Sequence, residues 1–401
     1  MPNTLTSLTG QFFEHNFLNL DAFVNGLHDS NTLGLNSGRI GSWGVSAGGG
    51  VDLFHQWRDS LLSLDYQGSY TKYQQGGYFS GTNQRFSVVY SKRLGRRWSV
   101  SANAQGGIFL YGFSSFYPVE GVGGVFVNNP FSPENKFLST GLTLSYQQTR
   151  RLSYEVSGNF FLNRYNSPVG FSSNGASGAA SANYQLNARN VVSGSYSHTY
   201  IVYRGNAGHA AMDGYYLTLR HAFSRTWTAS ASAGVTRTDT AAHFFLPVQF
   251  TFNNQLVTAY TLVPYNRKSY IPTFQASVTH QYRRSSLSFS GGQEVVAGNG
   301  VYLSARALDV SGFYSRTMQR ANFSMGGAYT HLTSVSTNIG SSYASGDLSA
   351  SYGYNLIRYI SANFRYDYLY YGSFSNLPGV KDNRISFGIS FSTKSVPMTL
   401  F

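Results

Sequence analysis

Chemistry on a substrate needs nucleophiles, acid–base groups or metal ligands gathered in one place, and the residues able to supply them are dispersed here. The nine histidines, His15, His28, His55, His198, His209, His221, His243, His280 and His331, never fall at i, i+2 or i, i+4, and no HExxH occurs. The absence of cysteine removes disulfides, thiol catalysis and cysteine-ligated zinc together. Serine is so abundant that no Ser-His-acid set stands out. Gly48-Gly49-Gly50 lacks the GKS/T of a phosphate loop and sits inside a strand-like run, where close backbone packing is the simpler role. Calcium-loop motifs are also missing. The expectation is a protein that is not an enzyme and holds no cofactor and no metal.

What remains is charge and its placement. The chain of 401 residues carries a formal +13, yet only 11% of its residues are charged, where a soluble protein uses about 25%. A surface that size cannot be covered with so few charges. Arg96, Arg97, Arg150, Arg151, Arg283 and Arg284 cluster in short turns. Nucleic-acid binding would need those charges in one groove with stacking aromatics between them. A collar against anionic lipid headgroups is the better reading, so lipid is an expected partner and nucleic acid is not.

The elements that position these residues show a period of two. Ile360, Ala362, Phe364, Tyr366 and Tyr368 interleave with Ser361, Asn363, Arg365 and Asp367. Leu62 to Tyr70, Trp98 to Gln105, Trp227 to Val235 and Ile385 to Phe391 alternate likewise. The polar face is mainly Ser, Thr, Asn, Gln and Gly, which suits a confined aqueous interior, and the apolar face suits hydrocarbon. No apolar run approaches the ~18 residues of a spanning helix, but ~9–11 tilted residues of strand suffice. Only a closed sheet can span in this way, since an edge in lipid leaves backbone groups unpaired.

Short turns at Arg58-Asp59-Ser60, Gly95-Arg96-Arg97, Thr149-Arg150-Arg151, Asn187 to Asn190, Ser224-Arg225-Thr226, Arg283-Arg284-Ser285, Met318-Gln319-Arg320 and Asn355 to Arg358 alternate with longer connections rich in Gly, Ser and Asn. With a first strand near Leu18 to Gly26 and a last near Arg384 to Phe391, this predicts an all-β fold. It is a closed antiparallel transmembrane β-barrel of about 18 strands, 16 being the other even count the spacing allows, with periplasmic short turns and extracellular long loops. Residues 1–17 read as a tail or small insert and 18–401 as one barrel. The opening MPNTLTSLTG has neither the basic nor the apolar part of an export signal. Two connections are long, 112–136 and 241–270. Both are aromatic, the second reads as a hairpin rising above the membrane, and either could fold inward or cap the barrel.

These features resemble bacterial outer-membrane β-barrels of the porin-like kind, from about Leu18 to Phe401. The resemblance implies an outer-membrane location. It also implies a terminal aromatic read by the barrel-assembly machinery, here Phe401, although alternation stops at Phe391 before Lys394, Ser395 and Pro397 intervene.

Strand parity turns Asp21, Asp52, Asp65, Glu155, Asp309, Asp347 and Asp367 inward, with Arg85, Arg220, Arg365 and Arg384. Arg365 and Asp367 share a face and can pair. A mildly acidic lining predicts passive diffusion of small hydrophilic solutes or ions, unselective or weakly cation-preferring. The other readings are a structural or partner-holding barrel with an occupied lumen and, less in keeping, a rim hydrolase. Outward alanines at Ala229 to Ala233 and Ala180 to Ala182 could support a homo-oligomer.

Overall fold

The computed structural model describes residues 16–31, 40–75, 80–110, 134–166, 172–205, 207–252, 255–296, 302–335, 342–372, 379–393 and 396–397. The strands are Phe17–Asp29 (β1), Ser42–Gln56 (β2), Ser60–Tyr73 (β3), Gly81–Arg93 (β4), Trp98–Leu110 (β5) and Glu134–Gln147 (β6). They continue as Leu152–Tyr165 (β7), Ser173–Gln185 (β8), Asn190–Tyr203 (β9), Gly208–Ala222 (β10), Trp227–Phe252 (β11) and Gln255–Tyr282 (β12). The last group is Ser285–Val296 (β13), Ala305–Thr317 (β14), Ala321–Ser334 (β15), Ser342–Asn355 (β16), Ile360–Tyr371 (β17) and Val380–Ser392 (β18), with a two-residue bridge, Val396–Pro397 (β19). Every strand pairs antiparallel with its neighbours in sequence, and β1 pairs with both β2 and β18. The sheet therefore closes into an 18-stranded barrel.

All eight predicted short turns are present, at residues 57–59, 94–97, 148–151, 186–189, 223–226, 283–284, 318–320 and 356–359. Side-chain oxygens fix several of them. Asn187 Oδ1 accepts from the backbone N–H of Arg189 and Asn190 at 2.9 Å each, and Thr149 and Ser224 act alike in their own turns. The 241–270 hairpin is also as expected, because β11 and β12 stay paired up to Phe252 and Gln255. Most of 112–136 lies outside the described residues, as do residues 1–15 and Phe401; Glu134–Lys136 begin β6. Phe391 is the penultimate residue of β18 and faces outward. The expected limits of the first and last strands were too short: β1 continues to Asp29 and β18 begins at Val380.

The two faces divide as the alternation requires. Val24, Trp43, Leu142, Val156, Leu217, Phe289, Phe364 and Phe387 are among many large apolar side chains exposed on the outer wall. An apolar surface that continues around the molecule is that of a membrane-spanning barrel rather than a protein in water. Trp57, Trp98, Trp227, Tyr282 and Tyr359 mark its short-turn edge, and Trp43, Tyr70, Tyr200 and Tyr270 the opposite one.

Inside, hydroxyl groups pair across strands. Ser230 meets Ser277, Ser286 meets Ser315, Ser324 meets Ser351 and Ser361 meets Ser390, each at 2.7 Å, and Ser290 meets Ser311 at 2.8 Å. Each is a register pair, so the barrel geometry alone brings the groups together. Glycines make room for larger inward groups. A Cβ on Gly48 would lie 2.8 Å from the Phe23 ring, and one on Gly50 would lie 2.7 Å from Asp21 Oδ1. The triplet is thus a packing device within β2.

Candidate functional site: the lumen and its constricted end

The predicted lumen residues separate into clusters. Asp52 and Asp65 face each other across β2 and β3, and Asp21 lies one strand away, opposite Gly50. Arg85 Nη2 reaches Asp65 Oδ1 at 2.6 Å, and Asn19 Nδ2 donates to Asp52 Oδ2 at 3.4 Å. Two strands from β1, Arg365 Nε binds both Asp367 oxygens at 2.9 and 3.0 Å, as their shared face suggested. Asp347 is on the neighbouring β16, in register with Leu369. Glu155, Asp309 and Arg220 stand apart on β7, β14 and β10.

Arg384 belongs to a third cluster that sequence reading missed. Its Nη2 and Nε donate to Asp29 Oδ2 at 2.7 and 3.1 Å, and Asp382 lies 3.7 Å from Nη2. The Tyr73 hydroxyl donates to Asp29 Oδ2 at 3.1 Å, the Asn31 backbone N–H to Oδ1 at 2.9 Å, and Ser30 Oγ to Asp382 Oδ1 at 3.2 Å. Asp29, Asp382 and Arg384 are at most 3% exposed. A guanidinium with two carboxylates can be buried only with this degree of hydrogen bonding. The signal was in the sequence, since Asp29 keeps the parity of Asp21 and Asp382 that of Arg384. Both aspartates were lost when the strands were ended early.

The packed layer extends around the long-loop end of the lumen. Leu27, Tyr73, Leu369 and Tyr371 pack beside the Arg384 cluster. Phe161, Ile201, Tyr203, Ala210, Met212, Ala242, Ile271, Val295 and Leu303 form a larger apolar cluster. Leu303 lies in the connection between β13 and β14, yet its carbonyl accepts the Tyr203 hydroxyl bond from β9. Ser304 Oγ meets Thr240 Oγ1 of β11 at 2.9 Å, and the Ser304 carbonyl accepts from Val335 N at 3.0 Å. Residues 302–304 therefore lie against the inner wall and narrow the passage. Of the two long connections that could fold inward or cap the barrel, most of 112–136 lies outside the described residues and 241–270 extends as a paired hairpin; the described segment lying against the inner wall is the short one at 302–304, whose sequence carries no length signal and one aromatic, Tyr302.

Lower in the barrel the inward positions are partly exposed and polar. The arc from β14 through β18 and β1 to β4 carries Asp309, Asp347, Asp367, Asp382, Asp29, Asp21, Asp52 and Asp65, with Arg365, Arg384 and Arg85. Across from it, the arc β8 to β12 presents Ser, Thr, Asn, Gln and small residues, with Arg220 and Arg267 as its inward charges among the described residues. No group of three or more metal-ligating side chains occurs among the described residues.

No protein-family model matches the chain, and no curated protein matches it. Among solved structures, a BenF-like porin from Pseudomonas fluorescens Pf-5 is 13% identical with a TM-score of 0.46, covering 96% of this chain and 100% of that one. Pseudomonas aeruginosa OccK2 (OpdF) in complex with glucuronate is 13% identical, TM-score 0.44, with the same coverages. P. aeruginosa OpdK with vanillate is 10% identical, TM-score 0.42, covering 94% of this chain and 99% of that one. Likeness at this level says nothing about what passes through a barrel.

Proposed function

We propose that this barrel is a passive channel of a bacterial outer membrane, admitting small hydrophilic solutes or ions and favouring cations. The observation that carries this reading is the division of the wall: hydroxyl, amide and carboxylate groups line the lumen while large apolar side chains cover the outside. Such a lumen holds water, and the outer face holds the protein in hydrocarbon. Preference for cations follows from the acidic arc, where Arg85 and Arg365 each engage one aspartate and Asp21, Asp52 and Asp347 form no ion pair among the described residues. The apolar and ion-paired layer at the long-loop end supplies the narrowest passage and hence the size limit. In this reading passage is driven by the solute gradient alone.

Purified protein in planar bilayers tests this directly. Stepwise conductance with a reversal potential of cation-selective sign across a potassium chloride gradient is expected. Anion preference would overturn the cation assignment alone. Absence of conductance from folded, inserted protein would overturn the channel itself.

A further inference from the structure

The outer wall carries a second set of charges, away from the short turns. On strand after strand, the outward position two residues beyond the last large apolar side chain is a cation at the long-loop end. Lys72 follows Tyr70 on β3, Lys136 precedes Leu138 on β6, and Arg164 follows Leu162 on β7. Arg204 follows Val202 just past β9, Arg237 follows Val235 on β11, Lys268 precedes Tyr270 on β12, and Arg306 precedes Leu308 on β14. A ring of cations at the limit of an apolar band lies at the height of lipid headgroups.

Within this ring, carboxylates answer some cations. Lys268 lies 3.6 Å from Asp239, Lys136 lies 2.9 Å from Glu134, and Arg237 is in register with Asp213. Lys72, Arg306, Arg164 and Arg204 form no ion pair among the described residues, and of these Arg164 and Arg204 lie near each other, at the ends of the two strands that flank β8. Arg164 Nη1 donates to the carbonyls of Asn163 and Ser173 at 2.8 and 3.1 Å, and Arg204 is tied through its backbone N–H to the Ser172 carbonyl at 2.9 Å. The two cationic residues thus stand on either side of the start of β8. Lys136 is opposite Arg164 in register and brings a third positive charge. Among the described residues, three cations against the carboxylate of Glu134 call for an anion, and guanidinium groups bind phosphate through paired N–H donors.

The wall below this cluster supplies the shape. The outward positions of β8 from Ala176 to Ala182 are Ala, Gly, Ala and Ala, which make a furrow about 20 Å long at ~3.3 Å per residue. Val156 and Phe160 of β7 form one bank, and Tyr196 and Tyr200 of β9 form the other; all four are exposed. We propose that Arg164, Arg204 and Lys136 hold the phosphate of a phosphorylated lipid in the surrounding leaflet, with an acyl chain along the β8 furrow. The cations carry the assignment and the furrow selects a lipid over a free anion. The site rests on the membrane placement proposed above and is independent of what the lumen conducts.

The test uses the delipidated full-length barrel in uncharged detergent, titrated with bisphosphorylated lipid A and read by native mass spectrometry. Dephosphorylated lipid A and inorganic phosphate are the comparison ligands. Arg164→Gln with Arg204→Gln is expected to weaken lipid A binding about thirtyfold, from the charge lost near a headgroup. Arg306→Gln with Lys72→Gln removes as much charge elsewhere in the ring and should change binding less than threefold, as a first-order expectation for a cluster-specific site. Ala180→Phe, on the lipid-facing surface, should weaken lipid A about tenfold from the lost furrow contact and leave inorganic phosphate unaffected. This variant also tests the site should the double arginine variant not fold. Equal losses in the two double variants, undiminished binding in Arg164→Gln/Arg204→Gln, or inorganic phosphate binding as tightly as lipid A would each overturn the site. Failure of wild-type protein to insert into liposomes would instead refute the membrane placement.

Discussion

The two arcs of the lumen share one backbone geometry and differ in what their side chains require. On the β8 to β12 arc, hydroxyls satisfy one another across strands, as Ser230 and Ser277 do at 2.7 Å. Such groups donate and accept alike, so the pairing tolerates substitution and carries no net charge. The arc from β14 round to β4 has such pairs too, as in Ser324 with Ser351, but there Asp65, Asp367, Asp29 and Asp382 each engage a specific guanidinium, and one guanidinium, Arg384, serves two carboxylates and lies beside a tyrosine. Closure of the barrel is thus distributed over every strand, whereas the inward carboxylates and the most sequence-dependent stability are concentrated on one side.

The sharpest way to break this comparison is Arg384→Ala, which leaves Asp29 and Asp382 buried without their cation. A loss of about 3–5 kcal/mol is expected, seen as a large fall in the temperature at which the folded band disappears in heat-modifiable electrophoresis. A change no larger than that of a serine variant would show that the two arcs are energetically alike. Next in size is the electrical effect of Asp21→Asn with Asp52→Asn: the reversal potential in a salt gradient should move toward zero while the folded band persists. A cation preference that survives would move the selectivity to Asp347 and Asp309 or away from the acidic arc.

Tyr203→Phe should cost about 1 kcal/mol for the hydroxyl bond to Leu303 and should increase open-channel current noise, because residues 302–304 lose a tether. Quiet, unchanged current would mean that this segment does not border the conducting path. The smallest effect belongs to the hydroxyl pairs of the β8 to β12 arc. Ser230→Ala with Ser277→Ala removes both partners of a hydrogen bond and should change stability by less than about 1 kcal/mol, with conductance and reversal potential unaltered.

Architecture was legible in the sequence because the period of two and the eight short turns are local signals. Trp227 to Val235 announces its two faces residue by residue, and Ser224-Arg225-Thr226 announces its turn. The pairing of Arg365 with Asp367 was legible for the same reason, being two residues apart on one strand. What escaped depends on contacts distant in the chain. Asp29 meets Arg384 only because β1 closes against β18, and Leu303 meets Tyr203 only because a short connection lies across several strands. Neither Leu303 nor Ser304 differs in type from its neighbours, so no spacing rule marks them. The inward set was read as one diffuse lining, where the structure resolves separate clusters of unlike burial.

The account depends most on which face meets water, and the absence of native cysteine makes that measurable. Single cysteines placed at consecutive positions of β11, from Thr228 to Ala233, would be challenged in liposomes with a small water-soluble thiol reagent. Label would also be tested for quenching by spin-labelled lipid. Reaction at positions 228, 230 and 232 with lipid quenching at 229, 231 and 233 is predicted. The reverse pattern, or uniform reaction along the strand, would contradict a water-filled barrel in hydrocarbon.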